Sequence, residues 1–251
     1  MTQEMMEAGP ADAEVLSVFD FDGTLTHRDS FVPFLLFAFG KRAFAVRVLR
    51  MLPDCVRYVG KGLTRDELKA ALIATFLTGV EEQWVQRKAA EFQRAFWKRL
   101  MRPAGVRSVA AEVESGAHVT ICSASPRLVL TPFADKLGIK LIATELEVVD
   151  GRLTGAISGS NCRCENKVLR LEAVYGSLDQ YRLRAWGDTR GDHELLAAAH
   201  EPHWRHFHPR WKRGRLKVER IVARLREGES LSNPVTGTLR SKGPHDQQPR
   251  H

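Results

Sequence analysis

An α/β fold, with a parallel sheet carrying helices on its faces and an all-helical insertion near its start, follows from three observations. Short apolar runs at Val15 to Phe19, Ala117 to Cys122 and Arg182 to Trp186 each end abruptly in polar residues. Runs of that kind suit strands buried on both faces, as in parallel sheets. From residue 103 onward such runs alternate with helical patterns. Between 28 and 102 the periodicity is helical throughout. The expected layout is a mobile leader at 1–13, an α/β core from 14–27 and 103–226, a helical cap at 28–102 and a disordered tail at 227–251.

The first strand stops at Asp20-Phe21-Asp22-Gly23, where glycine permits a turn. Asp29 or Ser30 then caps a helix through Phe31, Phe34, Leu35 and Phe37. From Lys41 to Lys61, Ala45, Val48, Leu49, Leu52, Val56 and Val59 share one helical face, and Pro53 should kink or divide it. Thr64-Arg65-Asp66-Glu67 matches a capping box opening a helix to about Leu77. Val85, Ala89, Phe92, Phe96 and Leu100 form the stripe of the next helix, from about Glu81 to Met101. Pro103 opens a helix closed by Gly116.

After the strand ending at Cys122, Ser125 as N-cap and Pro126 at the first helical position predict a helix to about Gly138. Leu141 to Thr144 reads as a short strand, and Glu147 to Thr154 as a hairpin turning at Asp150-Gly151. A helix from Glu165 to Tyr175, the strand Arg182 to Trp186 and a helix from His193 to Ala199 follow. Trp204 to His208 is the expected last strand, with His206 and His208 on its exposed face. A basic helix from Trp211 to Arg226 precedes the tail.

Asp20 and Asp22 therefore sit where a buried strand stops. Two acids so placed call for a hard divalent cation with oxygen ligands, although solvated turn residues account for that stretch alone. Ser123 follows the second such strand, and Asp188 and Asp192 follow the third. Strand carboxyl ends lie together in a parallel α/β sheet, so these groups converge on one crevice.

Taken in order, D-F-D-G-T-L-T at 20–26, the strand ending in Ser123, Lys167, and G-D-x-x-x-D from Gly187 to Asp192 resemble the four motifs of the haloacid dehalogenase-like superfamily of phosphohydrolases. The resemblance implies a Rossmann-like core and an Mg²⁺ cofactor. It implies Asp20 as a nucleophile forming an aspartyl-phosphate, and Asp22 as the acid for the leaving oxygen and then the base for water. The ligands it implies are Asp20, the backbone carbonyl of Asp22, and Asp188, with Asp192 binding directly or through water. Ser123 and Ala124 would hold the substrate phosphate, and Lys167 would offset the charge of nucleophile and substrate together. An acid at Asp22 is what phosphatases of the superfamily need and dehalogenases do not.

The position of the insertion, with S-A-S-P, G-R-L-T-G and N-C-x-C-x-x-K-x-x-R-L, resembles the phosphoserine-phosphatase-like branch, and within it bacterial members that include phosphatidylglycerophosphate phosphatases. Phosphoserine phosphatases typically carry S-G-G where this chain has Ser123-Ala124-Ser125, so the second serine should crowd or re-pattern the pocket. Cys164 also replaces a glycine common in the branch. On the strength of the apolar and cationic pattern in the cap, a lipid phosphate is the expected substrate, with a small soluble phosphomonoester such as histidinol phosphate or phosphoserine as the alternative. A non-catalytic anion- or membrane-binding module is the expectation from outside enzymology.

A formal charge of +8 over 251 residues agrees with anionic partners. The apolar and cationic stretch from Phe31 to Lys61 would make peripheral membrane contact, whereas no aromatic-and-basic surface predicts nucleic-acid binding. Nothing before Val15 resembles a signal peptide, so a cytoplasmic location, peripheral at the inner face of the membrane, is expected. Cys55, Cys122, Cys162 and Cys164 form no disulfide framework, and Cys162-x-Cys164 without a second pair falls short of a zinc site.

Overall fold

The computed structural model describes residues 13–208 except 61 and 63. Among them, β1 (Glu14–Phe19), β2 (His118–Pro126), β3 (Lys140–Val149), β4 (Arg152–Ser158), β5 (Tyr181–Gly187) and β6 (Glu201–Trp204) form one sheet in the order β4-β3-β2-β1-β5-β6. Neighbours run parallel except β3 and β4, which form the hairpin turning at Asp150-Gly151.

Alternation along β1 explains its central place. Leu16 and Val18 enter one apolar cluster with Leu171, Leu183 and Leu195, while Phe19 enters another with Ile121, Phe133 and Trp186. The Phe19 ring stacks on Trp186 at 4.1 Å between centroids.

Eight helices flank the sheet among the described residues: α1 (Phe31–Arg50), α2 (Leu52–Val59), α3 (Arg65–Leu77), α4 (Glu82–Leu100), α5 (Pro103–Glu114), α6 (Arg127–Leu137), α7 (Glu165–Tyr175) and α8 (His193–Ala198). Helices α1 to α4 lie between the end of β1 and α5, and their base is closed by backbone pairing. His27 N–H donates to Leu100 O at 2.8 Å, and Arg102 N–H to Leu25 O at 2.8 Å. The expected stripe of α4 buries Val85, Ala89, Phe92 and Leu100, and Thr64 and Glu67 make the capping box of α3 in both directions. Pro53 stands at the start of α2, dividing it from α1, and α1 is itself broken at Gly40, where φ is 74°.

Three boundaries differ from the sequence expectation. β2 continues through Ser123-Ala124-Ser125-Pro126, so Pro126 is extended and α6 starts at Arg127 without a serine cap; the Ser125 hydroxyl is drawn instead to Asp22. β3 is longer than Leu141 to Thr144, because the strand and the first arm of the hairpin are continuous. The last strand is Glu201–Trp204 rather than Trp204 to His208; pairing with β5 fixes it there, and His203 stacks on Trp186 at 4.4 Å. The expected helix from Trp211 to Arg226, the tail and nearly all of the leader lie outside the described residues. No helix among the described residues is long and apolar enough to cross a membrane.

Candidate active site

The chain leaves β1 through a tight turn over Phe21–Leu25 that sends the two acids apart. Gly23 has φ +88°, and a Cβ there would lie 2.4 Å from Asp188 Oδ2, so the turn and the end of β5 approach only because this residue is glycine. Asp22 faces the inserted helices. Its Oδ1 accepts from Ser30 N–H at 2.7 Å and its Oδ2 from the Ser125 hydroxyl.

Asp20 faces Lys167, which is 1% exposed in the first turn of α7. The Lys167 ammonium donates to Asp20 Oδ1 at 2.7 Å and to Asp192 Oδ1 at 2.6 Å. Asp192 Oδ2 accepts from the backbone N–H groups of Asp188 at 3.2 Å and Thr189 at 2.9 Å, and from the Thr189 hydroxyl at 2.9 Å. Asp188 Oδ1 accepts from the Thr24 hydroxyl at 3.2 Å, while His208 Nε2 lies 3.5 Å from its Oδ2. Lys167 is aimed by the turn before α7, where Cys164 adopts φ 54° and ψ −133° and its N–H donates to Gly191 O at 2.9 Å. That conformation favours glycine and stores about 1–3 kcal/mol in another residue.

Burial governs the electrostatics. It raises the Asp20 carboxyl well above its ordinary range, with Asp192 adding repulsion and Lys167 opposing. Burial, then Asp29, pushes Asp22 up to about 6 against the hydrogen bonds from Ser125 and Ser30. Asp188 is likewise pushed up to about 6, by burial and then by Asp192. At Asp192 burial also disfavours the charge, but Lys167 and the Thr189 donors outweigh it and hold the carboxyl below its usual range. Lys167, although burial works against its charge, is held well above the ordinary lysine range by Asp192 and Asp20.

Oxygens of Asp20, Asp188 and Asp192, all buried, lie within 4.8 Å of one another. Three carboxylates against one lysine leave excess negative charge in a buried setting, and the donors are oxygens alone. Both features fit a hard divalent cation such as Mg²⁺. The Asp22 carboxylate is outside this cluster, turned toward Ser30 and Ser125. Ser123 is buried at the end of the apolar part of β2, and its Oγ accepts from Ser125 N–H at 3.1 Å.

Asp20, Asp22, Ser123, Ala124, Lys167 and Asp192 line one cavity of about 220 Å³, so the sequence-predicted residues converge; Asp188 stands beside them against Asp20 and Asp192. The second serine, Ser125, also lines this cavity, with its hydroxyl turned to Asp22. The facing wall carries Lys69, which no motif marked. Lys69 of α3 donates to Ala124 O, to Asn161 Oδ1 at 2.6 Å and to Thr144 Oγ1 at 3.3 Å. Asn161 Nδ2 donates to Asp66 Oδ1 at 2.8 Å, and Arg163 lies 3.5 Å from Asp66. Burial lowers the Lys69 ammonium to about 8. His208 is also misjudged from sequence: it lies beyond β6, half-buried, with Nε2 2.8 Å from Gly23 O. A lysine in an ordinary helical stretch such as Glu67-Leu68-Lys69 gives no sequence signal of this kind.

Comparison with known proteins adds the family. The haloacid dehalogenase-like hydrolase family matches residues 17–197. The chain belongs to that family. Protein CicA of Caulobacter vibrioides (strain NA1000 / CB15N) is 42% identical over 195 residues, covering 77% of this chain and 86% of CicA. A protein of unknown function from Bordetella pertussis Tohama I shares the fold with a TM-score of 0.61 and 24% identity over 74% of this chain and 87% of its own. A phosphoserine phosphatase solved as a phospho-aspartyl intermediate analogue does so with a TM-score of 0.50 and 19% identity, over 75% of this chain and 84% of its own. In this haloacid dehalogenase-like hydrolase the acids thus stand at the carboxyl ends of β1 and β5, with α1 to α4 inserted directly after the first of them.

Proposed function

We propose that the protein is an Mg²⁺-dependent phosphomonoester hydrolase working through an aspartyl-phosphate. The observation that carries this reading is the buried Lys167 bridging Asp20 and Asp192 on the floor of a cavity that Ser123 also lines. In the proposed reaction an Asp20 oxygen attacks phosphorus as the ester P–O bond breaks. Asp22, raised to about 6, is suited to give its proton to the leaving oxygen and then to take one from the water that attacks the phospho-aspartate. That attack releases inorganic phosphate and restores Asp20. Ser123 and the backbone around Ala124 hold phosphoryl oxygens, and Lys167 offsets charge shared by nucleophile and substrate.

Asp20, Asp188 and the Asp22 carbonyl would hold Mg²⁺, which supplies charge neutralisation at the phosphoryl oxygens. Asp192, with both oxygens engaged by protein donors, is assigned to positioning Lys167 and a metal-bound water. The helices at 28–102 are assigned the part of a cap selecting the leaving group. A lipid phosphate such as phosphatidylglycerophosphate is the proposed substrate, supported by exposed apolar Val32 and Tyr58 on the cavity wall. Charged Asp29, Arg65 and Arg163 on the same wall favour, as a second reading, a small soluble phosphomonoester such as histidinol phosphate or phosphoserine. Release of phosphate from a generic aryl phosphate by the protein and by Asp20→Asn, with and without Mg²⁺, tests the chemistry; undiminished turnover in the variant overturns it. A panel of lipid phosphates, phosphoamino acids and histidinol phosphate tests the substrate.

A further inference from the structure

Helix α2 is amphipathic the wrong way round. Leu52, Val56 and Val59 recur at i, i+4 and i+7, the spacing that ordinarily turns to a core, yet they are 54%, 64% and 82% exposed. The second half of α1 continues this surface with Val46 at 50% and Leu49 at 66%. Of the twelve large apolar side chains exposed among the described residues, eight lie on α1 and α2, so the exposure is concentrated rather than scattered. In α4, by contrast, the same spacing buries its stripe.

The charge around this face selects its occupant. In sequence, residues 31–60 hold five cationic residues against one acid, and of the five Lys41, Arg42, Arg50 and Arg57 are exposed, whereas Arg47 lies over the Phe39 and Phe76 rings. Two copies meeting face to face would oppose like charge. The sequence at 209–251 is itself rich in arginine and lysine, which makes it a poor cover as well. An anionic bilayer satisfies both features, since apolar side chains enter the headgroup boundary and cations meet the lipid phosphates. The surface also continues into the cavity, because Val32 and Tyr58 are exposed on α1 and α2 and line its wall.

We propose that α1 and α2 form a docking surface for an anionic lipid bilayer, set so that a docked molecule presents its cavity mouth to lipid headgroups. The surface is argued from the helix faces; only its use, delivery of a membrane-borne phosphomonoester, rests on the phosphatase reading. Co-sedimentation of the full-length protein with phosphatidylcholine vesicles, with and without phosphatidylglycerol, tests it. Binding is expected to require phosphatidylglycerol and to fall as salt screens the charges. The double variant Leu49→Ser/Val56→Ser should lose about tenfold in affinity, and Arg42→Gln/Arg50→Gln should lose a similar factor. Both should hydrolyse a soluble aryl phosphate at the unaltered rate.

No vesicle binding at low salt overturns the proposal. So does binding that Leu49→Ser/Val56→Ser leaves intact, which would move the contact elsewhere in the chain. A dimer in solution that the same variant dissociates, without vesicle binding, would give the face to a second copy and also overturn it. Loss of aryl phosphate turnover is a separate readout that touches the phosphatase reading alone.

Discussion

The two walls of the cavity are built differently. On the core side Asp20, Ser123, Lys167 and Asp192 are each less than a tenth exposed and held mainly by one another and the strand ends. On the helical side Val32, Tyr58, Arg65 and Lys69 are partly or largely exposed, and α3 is joined across the cavity by the Lys69 and Asp66 side chains. A buried lattice of charges cannot lose a member without leaving another unpaired, whereas a bridge of part-buried side chains, with water at hand, is re-made more readily. Under the proposed function, the first wall would carry the chemistry and the second the selection.

The largest effect that would sharpen this contrast is on turnover. Asp20→Asn should lower kcat by more than about a thousandfold, on the order of 4 kcal/mol, with the circular dichroism spectrum retained. Lys167→Met should cost about 3–5 kcal/mol of stability in urea, because Asp20 and Asp192 are left buried without their cation. A loss under 1 kcal/mol would break the account of the core wall.

The third test uses pH. Asp22 and Asp188 rise to about 6 from 3.8, so the folded state binds more protons between those values. Their contribution to stability is complete below about pH 4 and is lost as pH rises through about 6, a loss on the order of a few kcal/mol in chelated protein. Mg²⁺ should therefore raise Tm more near about pH 7.5 than near about pH 5, where protons compete for the same oxygens. Equal shifts at both would contradict the cluster as its site.

Smaller effects belong to the helical wall and to the turn before α7. Lys69→Met should raise KM about tenfold and change kcat by less than about threefold, on the order of 1.4 kcal/mol in binding. An equal fall in kcat would erase the division between the walls. Cys164→Gly should stabilise the protein by about 1 kcal/mol or less, since relief at φ 54° is partly offset by a freer unfolded chain.

What sequence reveals divides along the same line. Asp20, Ser123, Asp188 and Asp192 are legible because strand ends in a parallel sheet meet by topology, whatever the details of packing, whereas Lys167, in the first turn of α7, is reached only through the motif resemblance. The Thr64 capping box and the Asp150-Gly151 turn are legible because their chemistry is local. Ser125-Pro126 misleads because a local helix start is overridden by a tertiary partner, Asp22, 103 residues away. Lys69 and His208 are silent because their partners, Asn161 and Gly23, are 92 and 185 residues away. The exposed stripe of α2 is visible as a stripe in sequence, but periodicity does not say which way a helix faces.

One feature of the sheet bears on how the molecule is made. Of the described strands β1 is made first and is one of the two central ones, and its neighbours are supplied by residues 118–121 and 181–186. One edge stays bare until residue 121 has been translated and the other until residue 186, with α1 to α5 emerging before the first of these. Closing such long loops is slow, and bare edges invite pairing between nascent chains. Mutations that weaken β5 should therefore reduce the yield of correctly folded protein during synthesis more than its equilibrium stability after purification.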